Sequence, residues 1–315
     1  MAVWRRFVTF VADESNLQLM LFSSIDIGSN AVRLLFANVY ESKGGPVTEK
    51  ASLIRIPIRL GMDVFNTGSI SEQKIQDLVT TMQAFKLLID VYKPLGYRVA
   101  ATSAMREASN NLEVMERVKR ESGLEIGMID GIEEANIISS LSNVFVNKNF
   151  SKTIYVDVGG GSTEISVLDG DRFLTSNSFR IGTIRLLADK VEESEWEAMR
   201  KWLNQFKADF GRMNCIGSGG NINKITKLYG YPINNMINID QLQYAYKQLG
   251  NMSLEARIGR MGLRPDRADV IVPAARIFVK ILKWTDINVV IAPKIGLADG
   301  LVLLQYKEMK ERGLI

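Results

Sequence analysis

The stretch that most limits how this chain can fold is Thr153-Ile-Tyr-Val-Asp157-Val-Gly159-Gly160-Gly161-Ser162-Thr-Glu164-Ile-Ser-Val-Leu168. An apolar run ends on a carboxylate, breaks into three glycines and a serine, and resumes the alternation of a strand. That order reads as strand, phosphate-cradling turn, strand. Glycines let successive backbone N–H groups point the same way and approach a ligand closely, because no Cβ intervenes and a positive φ costs nothing. Asp157 and Glu164 do not suit an anion site alone; they suit one that also holds a divalent cation, whose hard character matches carboxylate oxygen. An ordinary Gly-rich hairpin is the plain alternative. A second copy argues against it: Ser24-Ile-Asp26-Ile-Gly28-Ser29-Asn30-Ala31-Val-Arg33-Leu-Leu-Phe36 has the same order of apolar, Asp, apolar, Gly and small polar residues. Two such hairpins imply a duplicated core with a phosphate between its halves.

A chain of 315 residues has room for two domains. Its 46% apolar and 23% charged residues suit a packed globular protein. The single cysteine excludes a disulfide framework, and the absence of histidine removes the usual general base and the commonest zinc ligand. Acid-base chemistry therefore falls to carboxylates. Lys and Arg number 39 against 35 Asp and Glu, a net charge of +4 that tolerates a polyanionic substrate without demanding nucleic acid. No apolar run is long enough to span a bilayer. The first residues resemble a signal peptide until Asp13 and Glu14 interrupt them, so the expected location is cytoplasmic, with no membrane partner. Residues 1–20 read as an extension ahead of the first strand, or as an early start before Met20.

Beyond the first hairpin, a turn at Gly44, Gly45 and Pro46 is followed by β-like alternation from Leu53 to Leu60. Ser71 is a plausible N-cap for a helix whose stripe runs through Ile75, Leu78, Val79, Met82, Phe85, Ile89 and Tyr92, ended by Pro94 and Gly96. A strand at Tyr97–Ala101 leads into Thr102–Ala108. A helix follows from Asn110 to Gly123, then a strand over Glu125–Asp130 and a helix over Ile132–Val146. Alternating strands and helices imply parallel pairing, which places ligands beyond the carboxyl ends of the strands. Asp26–Asn30, Thr102–Arg106 and Gly131–Ala135 would meet there.

After the central hairpin come a strand over Phe173–Ile181, a helix starting at Gly182 and another capped by Ser194 and running to Phe210. A strand at Met213–Ile216 enters a third Gly-rich turn, Gly217-Ser218-Gly219-Gly220-Asn221, which opens a helix and offers an anion site at its N-terminus. A helix over Arg267–Trp284, a strand over Asn288–Ala292 and a terminal helix over Ile295–Arg312 complete the chain. Between Arg257 and Lys283, seven basic residues face two acids. Most such runs are solvated faces; the sharper reading is a track for a long polyanion.

The segments Ile25–Asn30, Ala101–Ala108, Glu133–Ala135, Val156–Glu164, Gly217–Gly220 and Arg264–Val272 occur in the order of the exopolyphosphatase/guanosine pentaphosphatase family, which the chain resembles from residue 22 onward. The resemblance implies an α/β fold of two ribonuclease H-like domains, as in actin, Hsp70 and sugar kinases, with the site in the interdomain cleft. The expected division is 1–137 and 138–315, the terminal helix (300–315) able to pack back on the first domain. The resemblance puts the water-activating glutamate at Glu134 and a phosphate-contacting arginine at Arg106. Mg2+ falls to Asp157 and Glu164. Phosphate loops fall at Gly28, Ser29 and Asn30 and at Gly159, Gly160, Gly161 and Ser162. Gly217, Ser218, Gly219 and Gly220 form the further phosphate-binding turn. Asn221 and Ala298-Asp299 depart from the family pattern.

The implied reaction is hydrolysis of a terminal phosphoanhydride, with polyphosphate or guanosine pentaphosphate as substrate. Polyphosphate is the first choice on the strength of the basic run. The rivals are an ATP-dependent small-molecule kinase of the same fold and an alarmone or nucleotide sensor that binds without turnover. The helical second half offers apolar surface for a homodimer.

Overall fold

The first hairpin pairs β1 (Met20–Ile27) antiparallel with β2 (Val32–Ser42), and β2 pairs antiparallel with β3 (Gly45–Ile56). This computed structural model describes residues 19–42, 45–141, 152–170, 172–231 and 233–315. The alternation expected as far as Leu60 stops at Ile56. Arg59 takes a left-handed conformation (φ 61°), and the chain turns into α1 (Leu60–Thr67), which buries Leu60, Val64 and Phe65 on one face. Next comes α2 (Glu72–Tyr92), with Ser71 at its N-cap; the expected stripe is buried from Ile75 to Ile89, whereas Tyr92 at the helix end is exposed and stacks on Phe36. β4 (Gly96–Ala101), α3 (Ser103–Glu107), α4 (Asn111–Ser122), the two-residue β5 (Gly127–Met128) and α5 (Gly131–Ser139) follow. The strand expected over Glu125–Asp130 is thus shorter. Of the helix expected to Val146, residues 142–146 lie outside the described residues.

The second hairpin pairs β6 (Lys152–Val158) with β7 (Thr163–Asp169), and β7 with β8 (Arg172–Phe179). Then come α6 (Thr183–Leu187), α7 (Glu193–Leu203), a 3-10 segment (Asn204–Asp209), β9 (Met213–Ser218) and α8 (Gly220–Tyr229). The N-cap of α7 is Glu192, two residues before the expected Ser194. The remainder is β10 (Met236–Asn238), α9 (Ile239–Gly250), α10 (Leu254–Gly259), α11 (Pro265–Ala268), α12 (Ile271–Thr285), β11 (Val289–Ile291) and α13 (Leu297–Glu311). The single helix expected over Arg267–Trp284 is therefore two. Among the described residues no helix is long and apolar enough to cross a membrane.

Strand order is β3-β2-β1-β4-β5 in one sheet and β10-β11-β9-β6-β7-β8 in the other. In each, an antiparallel hairpin is joined to strands that run parallel to its first member, β4 beside β1 and β9 beside β6. The duplication seen in two short sequence segments therefore extends through whole sheets. Each lobe has its own core, one around Phe36, Leu78 and Met82, the other around Ile154, Phe278 and Leu282. Among the elements that bind the lobes together are α13 and α5. α13 returns from the second half to cover the first sheet, seating Val302 and Tyr306 against Phe22 and Leu35. α5 packs on β7, β8 and α13, with Ile137 and Ile138 in a cluster that includes Tyr155, Ile216 and Leu301. The helix carrying Glu134 is thus held from both sides of the cleft.

Candidate active site

Both hairpins turn in the same way. Gly28 N–H donates to Ala31 C=O at 3.1 Å, and Gly159 N–H donates to Ser162 C=O at 3.0 Å. The carbonyls of each turn are drawn backward by a following helix. In the first turn Ser29 C=O accepts from Gly61 N–H and Asn30 C=O from Arg59 N–H. In the second, Gly159 C=O accepts from Thr183 N–H, and Gly160 C=O from the N–H groups of Ile184 and Arg185. With the carbonyls engaged behind, the N–H groups of Ser29, Asn30, Gly160 and Ser162 have no acceptor among the described residues, and these four residues line the cleft.

The reason for glycine differs from the one read in the sequence. None of Gly28, Gly159, Gly160 and Gly161 has a positive φ. Close approach is the reason at Gly160, where a Cβ would lie 2.9 Å from Ser29 Cβ and 3.2 Å from Asn30 N, so the two turns touch across the cleft, whereas Gly28 and Gly159 are crowded only by the carbonyls of Ala31 and Ser162 in their own turns. A left-handed glycine does occur in the third turn, at Gly219 (φ 104°).

The residues that follow from pairing register are the acids. Asp157 sits directly opposite Glu164, as Asp26 sits opposite Arg33. Glu134, in the first turn of α5, completes a cluster with Asp157 and Glu164 in which one oxygen of each lies within 4.8 Å of the others. Asp130 caps α5, accepting from the N–H groups of Ile132 and Glu133, and so fixes the turn on which Glu134 stands. Burial pushes Glu134 well above the usual carboxylate range, helped by the charges of Glu164, Asp157 and Asp26. Burial likewise raises Glu164 to about 7, against hydrogen bonds from Ser162 and Ser178 that pull it down. Asp157 is raised by burial despite a 2.5 Å hydrogen bond from Ser218 Oγ and the Arg33 charge. The buried Glu134 Oε2 and Glu164 Oε2 have no hydrogen-bond partner among the described residues. Three mutually repelling carboxylates with two orphaned oxygens are a donor set that fits a hard divalent cation.

The sequence-derived residues divide by position. Gly28, Ser29, Asn30, Glu134, Asp157, Gly159, Gly160, Ser162, Gly219 and Gly220 line one cleft with about 1200 Å³ of non-protein space, open to solvent. Glu164 is not in that lining, although one of its oxygens lies within 4.8 Å of those of Asp157 and Glu134. Gly161 is wedged beneath Ser103 and Phe65, and Gly217 faces the core at Val290 and Phe278, so neither lines the cleft. Ser218 turns to Asp157 rather than outward. Arg106 donates to Ile129 C=O at 2.6 Å, and its charge favours the ionised forms of Glu134 and Glu164 from the side of the cluster.

The basic run from Arg257 to Lys283 is not one track. Arg257 donates to Leu249 C=O and Ala268 C=O, Arg276 and Lys280 lie over the Trp196 ring, and only Arg267 of the run lines the cleft. The positive lining comes from scattered positions missed in the sequence: Arg33, Lys50, Arg55 and Lys294 join Arg267 there. Arg33 pairs with Asp26, Arg55 with Asp266, and Lys50 with Asp299 at 2.9 Å. Burial opposes the Arg33 charge, but contact with Asp26 and the nearness of Asp157 and Glu134 raise its pKa overall. Arg33 alone had a readable signal, since it falls opposite Asp26 once the turn is placed.

Two lobes with equivalent hairpin turns, facing each other over an acidic cluster, define the class of actin-like, ribonuclease H-like phosphate-cleft proteins. Within that class the chain belongs to the Ppx/GppA phosphatase family, whose model matches residues 47–309. It is 29% identical to exopolyphosphatase 1 of Mycobacterium leprae over 147 residues, 47% of this chain and 42% of that protein. It is 23% identical over 311 residues to the guanosine-5'-triphosphate,3'-diphosphate pyrophosphatase of Aliivibrio fischeri, covering 93% of this chain and 61% of that protein. The chain thus spans about half the length of these curated relatives. The crystal structure of the Aquifex aeolicus member of the family is 28% identical and superposes with a TM-score of 0.72, covering 93% of this chain and 99% of that one.

Proposed function

We propose that this protein hydrolyses terminal phosphoanhydride bonds and releases orthophosphate, with inorganic polyphosphate as its main substrate and the 5′ γ-phosphate of guanosine pentaphosphate as the alternative. The observation that carries this reading is the convergence of Glu134, Asp157 and Glu164 beside two turns whose N–H groups are unsatisfied. Asp157 and Glu164 would hold Mg2+, which supplies positive charge to phosphate oxygens when bound. The N–H groups of Ser29, Asn30, Gly160 and Ser162 bind the oxygens of the transferred phosphoryl group, where charge grows in the transition state. Glu134 orients a water and takes its proton at Oε2, the oxygen left without a partner. A carboxyl raised by burial is a stronger base than an exposed one, which suits that task near neutral pH. Arg106 favours the ionised form of Glu134 without itself reaching the cleft.

The polyphosphate preference rests on the lining of the cleft and no longer on the basic run. Arg55, Arg267, Lys50 and Lys294 extend the positive lining past the turns, and Arg267 Nη2 covers the start of α8, 3.0 Å from where a Gly220 Cβ would stand. Such a ribbon matches a linear polyanion longer than one phosphate.

The test is magnesium-dependent orthophosphate release from long polyphosphate and from guanosine pentaphosphate, side by side, for wild type and Glu134→Gln. Release from polyphosphate falling by roughly 10²–10⁴-fold in the variant is expected. Binding without release by wild type would overturn the hydrolase reading in favour of a sensor. Phosphorylation of a small acceptor by ATP would overturn it in favour of a kinase.

A further inference from the structure

Arg185 is 4% exposed, although it lies on a short helix outside the acidic cluster. Its side chain makes three contacts that meet at the second turn. Nε donates to Gly161 C=O at 2.8 Å, Nη2 pairs with Glu107 on α3 of the first lobe, and the guanidinium lies 4.0 Å over the Phe65 ring of α1. Glu107 is shared with Arg180, which pairs through its other oxygen at 2.7 Å. The backbone N–H of Arg185 also donates to Gly160 C=O. All three glycine carbonyls of the turn thus point toward α6, and among the described residues the third is held only by this side chain.

Carbonyl orientation decides what the cleft presents. A peptide carbonyl and the N–H of the next residue point in opposite directions, so holding Gly161 C=O behind the turn keeps Ser162 N–H facing the ligand. Were Gly161 C=O to swing outward, it would place a partial negative charge beside the transferred phosphate. Arg is suited to this place because its planar fork serves a carbonyl and a carboxylate together, and its charge adds positive potential behind the anion site.

We propose that Arg185 is a positioning residue for the Gly159–Ser162 turn, oriented from across the cleft by Glu107, so that phosphate affinity depends on an ion pair between the two lobes. This rests on the reading that the turn holds phosphate, and its test separates the two. Tripolyphosphate is titrated calorimetrically with magnesium into the Glu134→Gln protein, so that binding is read without turnover, and into the same protein carrying Arg185→Met, Arg185→Lys or Glu107→Gln. Arg185→Met should weaken binding by about tenfold or more, the scale of one lost charge-assisted hydrogen bond. Arg185→Lys should recover less than half of that loss, because one ammonium cannot serve Gly161 and Glu107 together. Glu107→Gln, which leaves the turn untouched, should weaken binding by about threefold through the loosened guanidinium.

A residue that merely packs would lower the melting temperature and leave affinity unchanged well below it. Affinity within about twofold of the parent in folded Arg185→Met, or in Arg185→Lys if the methionine variant does not fold, would overturn the proposal. Unchanged affinity in Glu107→Gln would overturn the link across the cleft. Absence of binding by the parent would remove the phosphate reading of the turn itself and this inference with it. Binding that depends on Arg185 in a wild type that releases no orthophosphate would leave the positioning role standing while the hydrolase reading fell.

Discussion

The two hairpins share a backbone and differ in charge. Counting from the first glycine of each turn, Asp26 and Arg33 occupy the places that Asp157 and Glu164 occupy in the other lobe. The first pair is a cross-strand ion pair that satisfies itself. The second sets two carboxylates side by side and adds Glu134, a combination that is unfavourable unless a cation or a proton joins it. The difference shows how a duplicated scaffold divides labour: one copy of the turn contributes N–H donors beside a self-neutralised ion pair, and the other contributes the same donors beside an uncompensated cluster of carboxylates. The turns also differ in support. Backbone N–H groups alone hold the carbonyls of the first, whereas the second adds the Arg185 side chain, tied to the opposite lobe.

The largest expected effect comes from erasing the charge difference. Glu164→Arg gives the second hairpin the acid-base pairing of the first and should abolish magnesium-dependent phosphate release, with a loss of at least about 10³-fold. Release within tenfold of wild type would mean that the acidic cluster is not where the reaction occurs.

Steric demand gives the next effect. A Cβ on Gly160 would meet Ser29 Cβ at 2.9 Å in the facing turn, while one on Gly28 would meet Ala31 C=O at 3.3 Å, where a small shift relieves it. Gly160→Ala should therefore cost about 1–3 kcal/mol of stability and Gly28→Ala less than about 1 kcal/mol, read from chemical denaturation. Equal losses would show that the turns do not press on each other as described.

The smallest effect is a pH dependence that belongs to the carboxylates around the second hairpin and has no counterpart at the first. Glu164 is raised from an ordinary 4.5 to about 7, so between those values the folded protein keeps a proton that the unfolded chain releases. Its contribution to stability is greatest below about pH 4.5 and is lost as pH rises through about 7. Glu134 and Asp157 shift in the same direction and for the same main cause, burial. The melting temperature of chelator-treated protein should fall across that window, and saturating magnesium should flatten the slope. A metal-free protein whose melting temperature is level across it would contradict the picture of three crowded carboxylates.

Much of this was legible in the residues because it is local. The order of apolar residues, Asp and Gly located both turns, and the two-residue period of a strand then places Asp157 opposite Glu164. Helix α2 was readable because seven apolar positions recur at helical spacing before Pro94 and Gly96. Helix α1 was not: the left-handed Arg59 gives no signal in a residue type that rarely adopts that conformation, so Leu60 read as more strand. Other readings failed because they depended on distance through space. A count of basic residues over Arg257–Lys283 suggested a track, yet these side chains point to different neighbours, while Lys50, Arg55 and Lys294 come together from remote segments.

By itself, the sequence determined the duplicated turn, the register that sets Asp157 opposite Glu164 and the exclusion of histidine chemistry, because each depends on residue identity and on spacing along a few neighbours. Only the tertiary structure decided that Gly160 and Gly161 answer to the opposing lobe rather than to φ, that Glu134 is held by elements of both lobes, and that Gly217 belongs to the core. It also brought Arg185 to Glu107, 78 positions apart in the chain. Those outcomes depend on which surfaces meet when two sheets and α13 close on one another, and sequence separation carries no record of that meeting.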